Sequence, residues 1–311
     1  MKGSIQITPE ARDYLFRLTN CRGITNKGIH RLLQISPTLS QFFSLSEKDL
    51  LNYKIIEKRN LAFFLQDFYN FNPMPILAEY LEKGIFFITI ADPEYPDLLR
   101  EIYNCPVILY GIGNIEFLTF PKKISIVGTR TPTREGKLAI QKIVPELVSS
   151  GWLVVSGLAK GIDTWAHQAA MDSSGKTISV IGSGFDYLYP ASNKELAANI
   201  MKNHLLLTEY KPAMKPQKWH FPERNRIIAG LSAGTIVIQA KMRSGSLITA
   251  QMAMEEGREV FAVPGPIHLE NAGGTNKLIQ DGAKLVMSAR DVEDEFASFQ
   301  TLPSMKEMLR K

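Results

Sequence analysis

Cysteine is nearly absent, with Cys21 and Cys105 the only two in 311 residues. Two thiols cannot build a disulfide framework or a zinc cluster, and a reducing, cytoplasmic home is expected. The five histidines, His30, His167, His204, His220 and His268, have no metal-ligand spacing, so no metal is expected. No apolar run approaches the ~18–20 residues that span a bilayer, so no membrane partner is expected. Met1-Lys2-Gly3-Ser4 runs straight into polar and charged residues, and no signal peptide is expected. Internal repeats and low-complexity stretches are also missing.

What is present is ordinary globular composition, 45% hydrophobic and 22% charged, which rules out wholesale disorder. The length suggests two domains, one large and one small. The net charge of +5 is unevenly spread. Residues 211–243 carry +6 and residues 121–137 carry +4, so the remainder sums to −5. Concentrated positive charge points to a polyanionic partner, against the plainer reading of two solvated faces.

Residues 1–75 read as a small helical domain. Tyr14, Leu15 and Leu18 recur at helical spacing, as do Ile29, Leu32 and Leu33. Ser46-Glu47-Lys48-Asp49 has the form of a capping box. The Gly23–Gly28 turn resembles the hairpin of helix-hairpin-helix modules, against the plainer reading of a tight helix connection. Phe71-Asn72-Pro73-Met74-Pro75 is a proline break. Residues 76–121 read as a connecting helix with short strands near 85–90 and 107–110, leading into the main domain.

Residues 122–290 alternate β-branched runs with helical stretches. Strands are expected at 124–127, 153–155, 177–181, 205–208, 235–239, 260–262 and 284–286. Helices are expected near 134–149, 162–172, 193–202, 222–230, 246–256 and 274–281. The alternation predicts an α/β fold, a doubly wound, mostly parallel sheet covered on both faces. Residues 291–311 read as a short C-terminal tail.

Three motifs fail on context. Gly230-Leu231-Ser232-Ala233-Gly234 fits a nucleophile elbow, yet a helix precedes it and a strand follows, the reverse of what that motif needs. Gly175-Lys176-Thr177 lacks the first P-loop glycine, since position 170 is Ala170. Gly182-Ser183-Gly184 has Tyr187 where the third glycine of a dinucleotide fingerprint belongs. No cofactor is expected.

Ligands of open α/β sheets sit at the carboxyl ends of strands, so the loops there carry the argument. They hold Gly128-Thr129-Arg130, then Ser156–Asp163 with Lys160, then Lys241-Met242-Arg243-Ser244-Gly245-Ser246 at a helix start. Glycine admits close backbone approach, hydroxyls and free helix N–H groups suit an anion, and arginine forks onto phosphate. Turns need glycine anyway, but that does not account for Arg130 and Arg243 at matched strand ends. Lys215–Arg226 interleaves Lys218, Arg224 and Arg226 with Trp219 and Phe221. Cations among aromatic faces suit a single strand, which offers charge and free base faces together. Trp219 serves equally well, on this evidence, as a core residue closing the loop.

These strings resemble the DNA processing protein A (DprA/Smf) family. The resemblance rests on Ile126–Arg130, Ser156–Asp163 with His167, Phe221–Ser232, Ser244–Ala250 and Gly257–Gly265, in order, over about 122–286. It implies an extended Rossmann-like core behind a SAM-like helical domain. It further implies a non-catalytic, sequence-independent single-stranded-DNA binder that protects incoming strands, helps load RecA recombinase during natural transformation, and dimerises through the core. On the family pattern Gly128, Thr129 and Arg130 hold phosphate, and Lys218 and Phe221 contact backbone and base. Arg224 and Asn225 lie close by. Lys160, Arg243, Ser244, Gly245 and Ser246 complete the candidate set. Thr129 replaces a usual serine and keeps the hydroxyl. Gln239 replaces a frequent glutamate, and the winged-helix-like domain of some members is not expected here.

Two other readings stand beside this one. A nucleoside-monophosphate N-glycosidase would use the same phosphate loops, with Asp163 or Glu209 assisting water. An interaction adaptor would present the basic patch to an acidic protein.

Overall fold

The computed structural model describes residues 9–36, 39 and 45–300. The chain opens with helices α1 (Pro9–Asn20), α2 (Asn26–Ile35), α3 (Glu47–Asn52), α4 (Leu61–Tyr69) and α5 (Met74–Glu82). The expected capping box forms: Ser46 Oγ accepts from the Asp49 N–H at 3.2 Å, and the Asp49 carboxylate accepts from the Ser46 N–H at 2.9 Å. The Gly23–Gly28 turn is a packed connection. A Cβ on Gly23 would meet Asn60, one on Gly28 would meet the Ile55 carbonyl, and Ile24 bridges to Ile56. Asn26 Nδ2 donates to the Cys105 carbonyl at 3.0 Å, and its Oδ1 accepts from the Val107 N–H at 3.0 Å. The turn is therefore stitched to the segment ahead of the main domain.

That segment does more than connect. β1 (Phe86–Thr89), α6 (Asp97–Glu101) and β2 (Ile108–Gly113) precede the expected core, and both strands join its sheet. Then follow β3 (Lys123–Val127), α7 (Arg134–Ser149), β4 (Leu153–Ser156), α8 (Ile162–Asp172), β5 (Thr177–Val180) and α9 (Lys194–Asn203). The rest is β6 (Leu205–Thr208), α10 (His220–Gly230), β7 (Gly234–Val237), α11 (Gly245–Glu255), β8 (Glu259–Ala262), α12 (Glu270–Gln280), β9 (Lys284–Leu285) and α13 (Ala289–Gln300). The nine strands run in the order β1-β2-β6-β5-β4-β3-β7-β8-β9. All neighbours pair in parallel except β1 with β2 and β2 with β6. This is the expected doubly wound α/β architecture, extended by an antiparallel flap.

Strands β3 to β7 are buried at every position, as strands covered on both faces must be. One apolar cluster joins Leu15, Leu32 and Phe64 of the helical region to Val155, Leu207 and Ala250. The other face is filled by Ile126, Ile143, Trp152, Ala166 and Ile236. α13 takes up the start of the expected tail. Val292 is fully buried, and Phe296, four residues on, lies 5.1 Å from Trp152 and 5.9 Å from Phe261, centroid to centroid. An i, i+4 apolar pair makes this stretch a packed helix. Residues 301–311 lie outside the described residues.

Within residues 122–290, three boundaries moved by two residues or more. α10 starts at His220 because Pro222 still falls in its first turn, where proline lacks only an N–H that would be unpaired anyway. α12 starts at Glu270 and carries Gly273-Gly274 within it; Gly274 packs on the Ala240 and Lys241 carbonyls, where a Cβ would not fit. β7 ends at Val237, two residues early.

Candidate nucleic-acid interface

β3 pairs with β4 on one side and β7 on the other, so the winding of the sheet reverses there. A crevice opens outside the carboxyl ends of strands at such a point. It is a cavity of about 680 Å³, lined by the loops after β3, β4 and β7, by α10 and α11, and by single residues, Tyr189 and Lys218, from the loops after β5 and β6.

Backbone bonds lock the three loops together. The Thr129 N–H donates to the Gln239 carbonyl at 2.8 Å, and the Ile162 N–H donates to the Thr129 carbonyl at 3.2 Å. Gly128 is needed for this approach, because a Cβ there would lie 2.6 Å from Ile162. Gly161 takes φ +82° as it turns the chain into α8. Gln239 Nε2 donates to Thr133 Oγ1 at 2.8 Å and its Oε1 accepts from the Thr133 N–H at 3.0 Å. It thereby braces the start of α7 and does not line the cavity.

The floor is built around Arg224, which is buried. Its Nη1 donates to the carbonyls of Gly157 and Val180, and its Nε donates to Asn225 Oδ1 at 3.1 Å. Gly157 has no alternative, since a Cβ would sit 2.6 Å from the guanidinium. Burial brings the Arg224 pKa down to about 10, opposed by the charge of Asp163. Burial raises the pKa of Asp163, opposed by Arg224. Asp163 accepts from the Ala159 N–H at 3.3 Å. Asn225 Nδ2 reaches the Gly245 carbonyl at 3.5 Å, tying α10 to α11. His167, on α8, is fully buried; burial holds its pKa down near 3. The Thr177 hydroxyl donates to the Val154 carbonyl at 2.9 Å, so His167 Nδ1–H donates to that hydroxyl at 2.7 Å.

The rim differs in kind. Arg130 and Lys218 line the cavity, are exposed, and make no salt bridge among the described residues. Ser244, Gly245 and Ser246 start α11, whose first turn has no acidic residue and no side-chain cap. Its unpaired N–H groups and dipole favour an anion. Ser244 Oγ and Ser246 Oγ lie 2.7 Å apart. The same cavity is lined by an aromatic pair, Phe221 and Tyr189, 5.6 Å between centroids. It thus offers charge, N–H donors and ring faces together.

Ten of the twelve residues named from sequence line this cavity: Gly128, Thr129, Arg130, Lys218, Phe221, Arg224, Asn225, Ser244, Gly245 and Ser246. Lys160 and Arg243 are exposed and stand outside the lining. Tyr189 was missed, and its only sequence signal was the alternation of Phe185, Tyr187 and Tyr189 in a loop that runs into Pro190. Asp163 lines the cavity, whereas Glu209 lies outside it, paired with Arg226 at 2.6 Å. Trp219 is exposed, so it does not close the loop as a core residue.

The sequence model of DNA recombination-mediator protein A matches residues 86–297, from the first residue of β1 into α13. The chain belongs to the DNA recombination-mediator protein A family. DNA processing protein DprA of Bacillus subtilis is 51% identical over 220 residues, covering 71% of this chain and 74% of the relative. DNA processing protein DprA of Streptococcus pneumoniae is 46% identical over 274 residues, 88% of this chain and 94% of that one. The crystal structure of the pneumococcal DprA matches 93% of this chain and 98% of its own with a TM-score of 0.80 and 43% identity. The structure of DNA processing protein A from Helicobacter pylori, described for its single-stranded DNA binding mode, matches 69% of this chain and 96% of its own with a TM-score of 0.62 and 29% identity. The DprA match includes every strand of the sheet, so the flap of β1 and β2 falls within the family's own unit. No described helix is long and apolar enough to cross a membrane.

Proposed function

We propose that this chain binds single-stranded DNA without sequence preference and without catalysis, in the cavity at the β3 switch point. The observation that carries this reading is the pairing within one cavity of cations free of salt bridges among the described residues, Arg130 and Lys218, with an aromatic pair, half-buried Phe221 and exposed Tyr189. A single strand presents phosphate and unstacked base together; a duplex hides its base faces. The non-catalytic reading is supported by the use of Asp163 as a loop clamp and by the distance of Glu209 from the cavity. In the cell the proposed role is that of a cytoplasmic recombination mediator, protecting incoming strands and helping load RecA during natural transformation.

The proposed unit is a homodimer joined through the core. One edge of the sheet, β1, is covered by α1, where Arg12 Nη2 donates to the Phe87 carbonyl at 3.3 Å. The other edge, β9, ends the sheet with exposed Leu285 and Met287 beside a shallow groove that Leu138 and Val286 help line. Exposed apolar side chains beside a sheet edge suit pairing with a second copy, which supports this reading. Leu285→Lys is expected to shift the light-scattering mass toward one chain; an unchanged dimer would place the contact elsewhere.

Fluorescence anisotropy with labelled oligo-dT, alone and annealed to its complement, tests the main reading. Tight binding of the single strand, weak binding of the duplex and a log–log salt slope near −0.7 per phosphate are expected. Salt-independent binding would remove the phosphate cradle from the account. Nucleoside monophosphates are expected to release no base at high protein concentration; release would make the cavity an N-glycosidase site.

A further inference from the structure

Beyond Tyr189 and Lys218, the loops after β5 and β6 carry a second surface outside the cavity. They are fastened to each other. The Gly184 N–H donates to the Met214 carbonyl at 2.8 Å, and the Asp186 N–H donates to the Pro212 carbonyl at 3.0 Å. Gly184 admits this contact because a Cβ there would strike the Lys211 and Pro212 carbonyls. The Gln217 N–H donates to His220 Nδ1 at 3.2 Å, and His220 stacks on Tyr210 at 3.9 Å between centroids. On this braced ridge Tyr187 is 39% exposed and Trp219 is 62% exposed. Lys215 Nζ lies 5.5 Å from the centre of the Tyr187 ring. Lys215 makes no salt bridge among the described residues.

Exposed rings ordinarily sink into a core, and these are held out on a pinned backbone beside an unpaired cation. The ridge is continuous with the cavity. Tyr189 lines the cavity and touches Phe221, and Tyr187 lies two residues before it. Two residues of extended chain span roughly 6.6 Å, comparable with one step along an unstacked strand. Lys218 lines the cavity, while its neighbour Trp219 does not.

We infer that Tyr187, Lys215 and Trp219 form a second nucleotide subsite, which takes the next base and phosphate of a strand already seated in the cavity. This rests on the single-strand reading of the cavity and extends it. Lys215 meets the phosphate, and the Tyr187 and Trp219 rings meet base faces. Because stacking uses the π-face common to all bases, the subsite adds affinity without sequence preference.

Oligo-dT of about 2 nucleotides fills only the cavity, and oligo-dT of about 12 nucleotides reaches the ridge, within the range of single-strand sites. Of the three tryptophans Trp152 is buried, Trp165 half-buried and Trp219 exposed, so quenching of tryptophan emission that Trp219→Phe abolishes reports strand on the ridge. The longer oligomer is expected to quench and the shorter to leave emission unchanged. Tyr187→Ala and Lys215→Gln are each expected to weaken the longer oligomer by roughly tenfold and leave the shorter one unaffected. Lys202→Ala, a lysine outside both surfaces, controls for general charge. Equal loss for both lengths, or loss for neither, would overturn the subsite. If Arg130→Ala weakens both lengths while the longer gains nothing over the shorter, the cavity reading stands and the ridge falls. If the unsubstituted protein binds neither oligomer, both fall.

Discussion

The floor and the rim of the cavity are made from the same residue types in opposite states. Arg224, in the floor, is buried and has spent its donors on two carbonyls and a neighbouring amide. Arg130, on the rim, is exposed and free of salt bridges among the described residues. A buried guanidinium with satisfied donors holds backbone in place; an exposed one with idle donors is free to meet an incoming anion. The difference teaches that charge near a site is not charge at the site.

Substitutions should separate the two. Arg224→Ala leaves two buried carbonyls unpaired and strips Asp163 of its nearby cation. A loss of about 4 kcal/mol in a urea melt is expected. Arg130→Ala should do the reverse. Strand affinity falls by about 1.5–3 kcal/mol, read by anisotropy, while the melt moves by less than about 0.5 kcal/mol. A large stability loss there would erase the distinction between rim and floor.

Acid sharpens the comparison through His167, beneath the floor. Its folded pKa of about 3 lies below the ordinary value of 6.5, so the unfolded chain binds a proton that the native chain refuses. Stability is fully present above about pH 6.5 and is lost as pH falls toward 3, with about 2 kcal/mol gone by pH 5. His167→Gln should flatten this slope in melts at pH 5 and 7. The smallest effects belong to Lys160→Ala and Arg243→Ala, whose side chains are exposed outside the lining. Each should cost under about 1 kcal/mol of binding and leave the melt unchanged.

The strands were legible because fully buried parallel strands read as unbroken apolar runs, as in Leu153-Val154-Val155. Their spatial order was not, since nothing local to Thr208 says that it pairs with Tyr110. The cavity was legible wherever glycine, hydroxyl and cation share one loop, as in Gly128-Thr129-Arg130. It was illegible where a single residue reaches in from a distant loop, as Tyr189 does. Pattern also could not separate Arg224 from Lys160 or Arg243, because burial of a cation is settled by which carbonyls surround it. The helix at the start of the tail was illegible for the same reason: Phe296 finds its partners in Trp152 and Phe261, far away in sequence.

The pairing of β2 with β6 sets a timetable for synthesis. Tyr110 leaves the ribosome well before Thr208, its partner in the sheet. At ~5–20 residues per second that interval lasts roughly 5–20 s. Until it ends, the helices and the antiparallel flap have no sheet to lean on, and the inner edge of β2 stays open. The first third of this protein therefore waits on the middle of the chain, and a chaperone that meets the nascent chain early will meet it there.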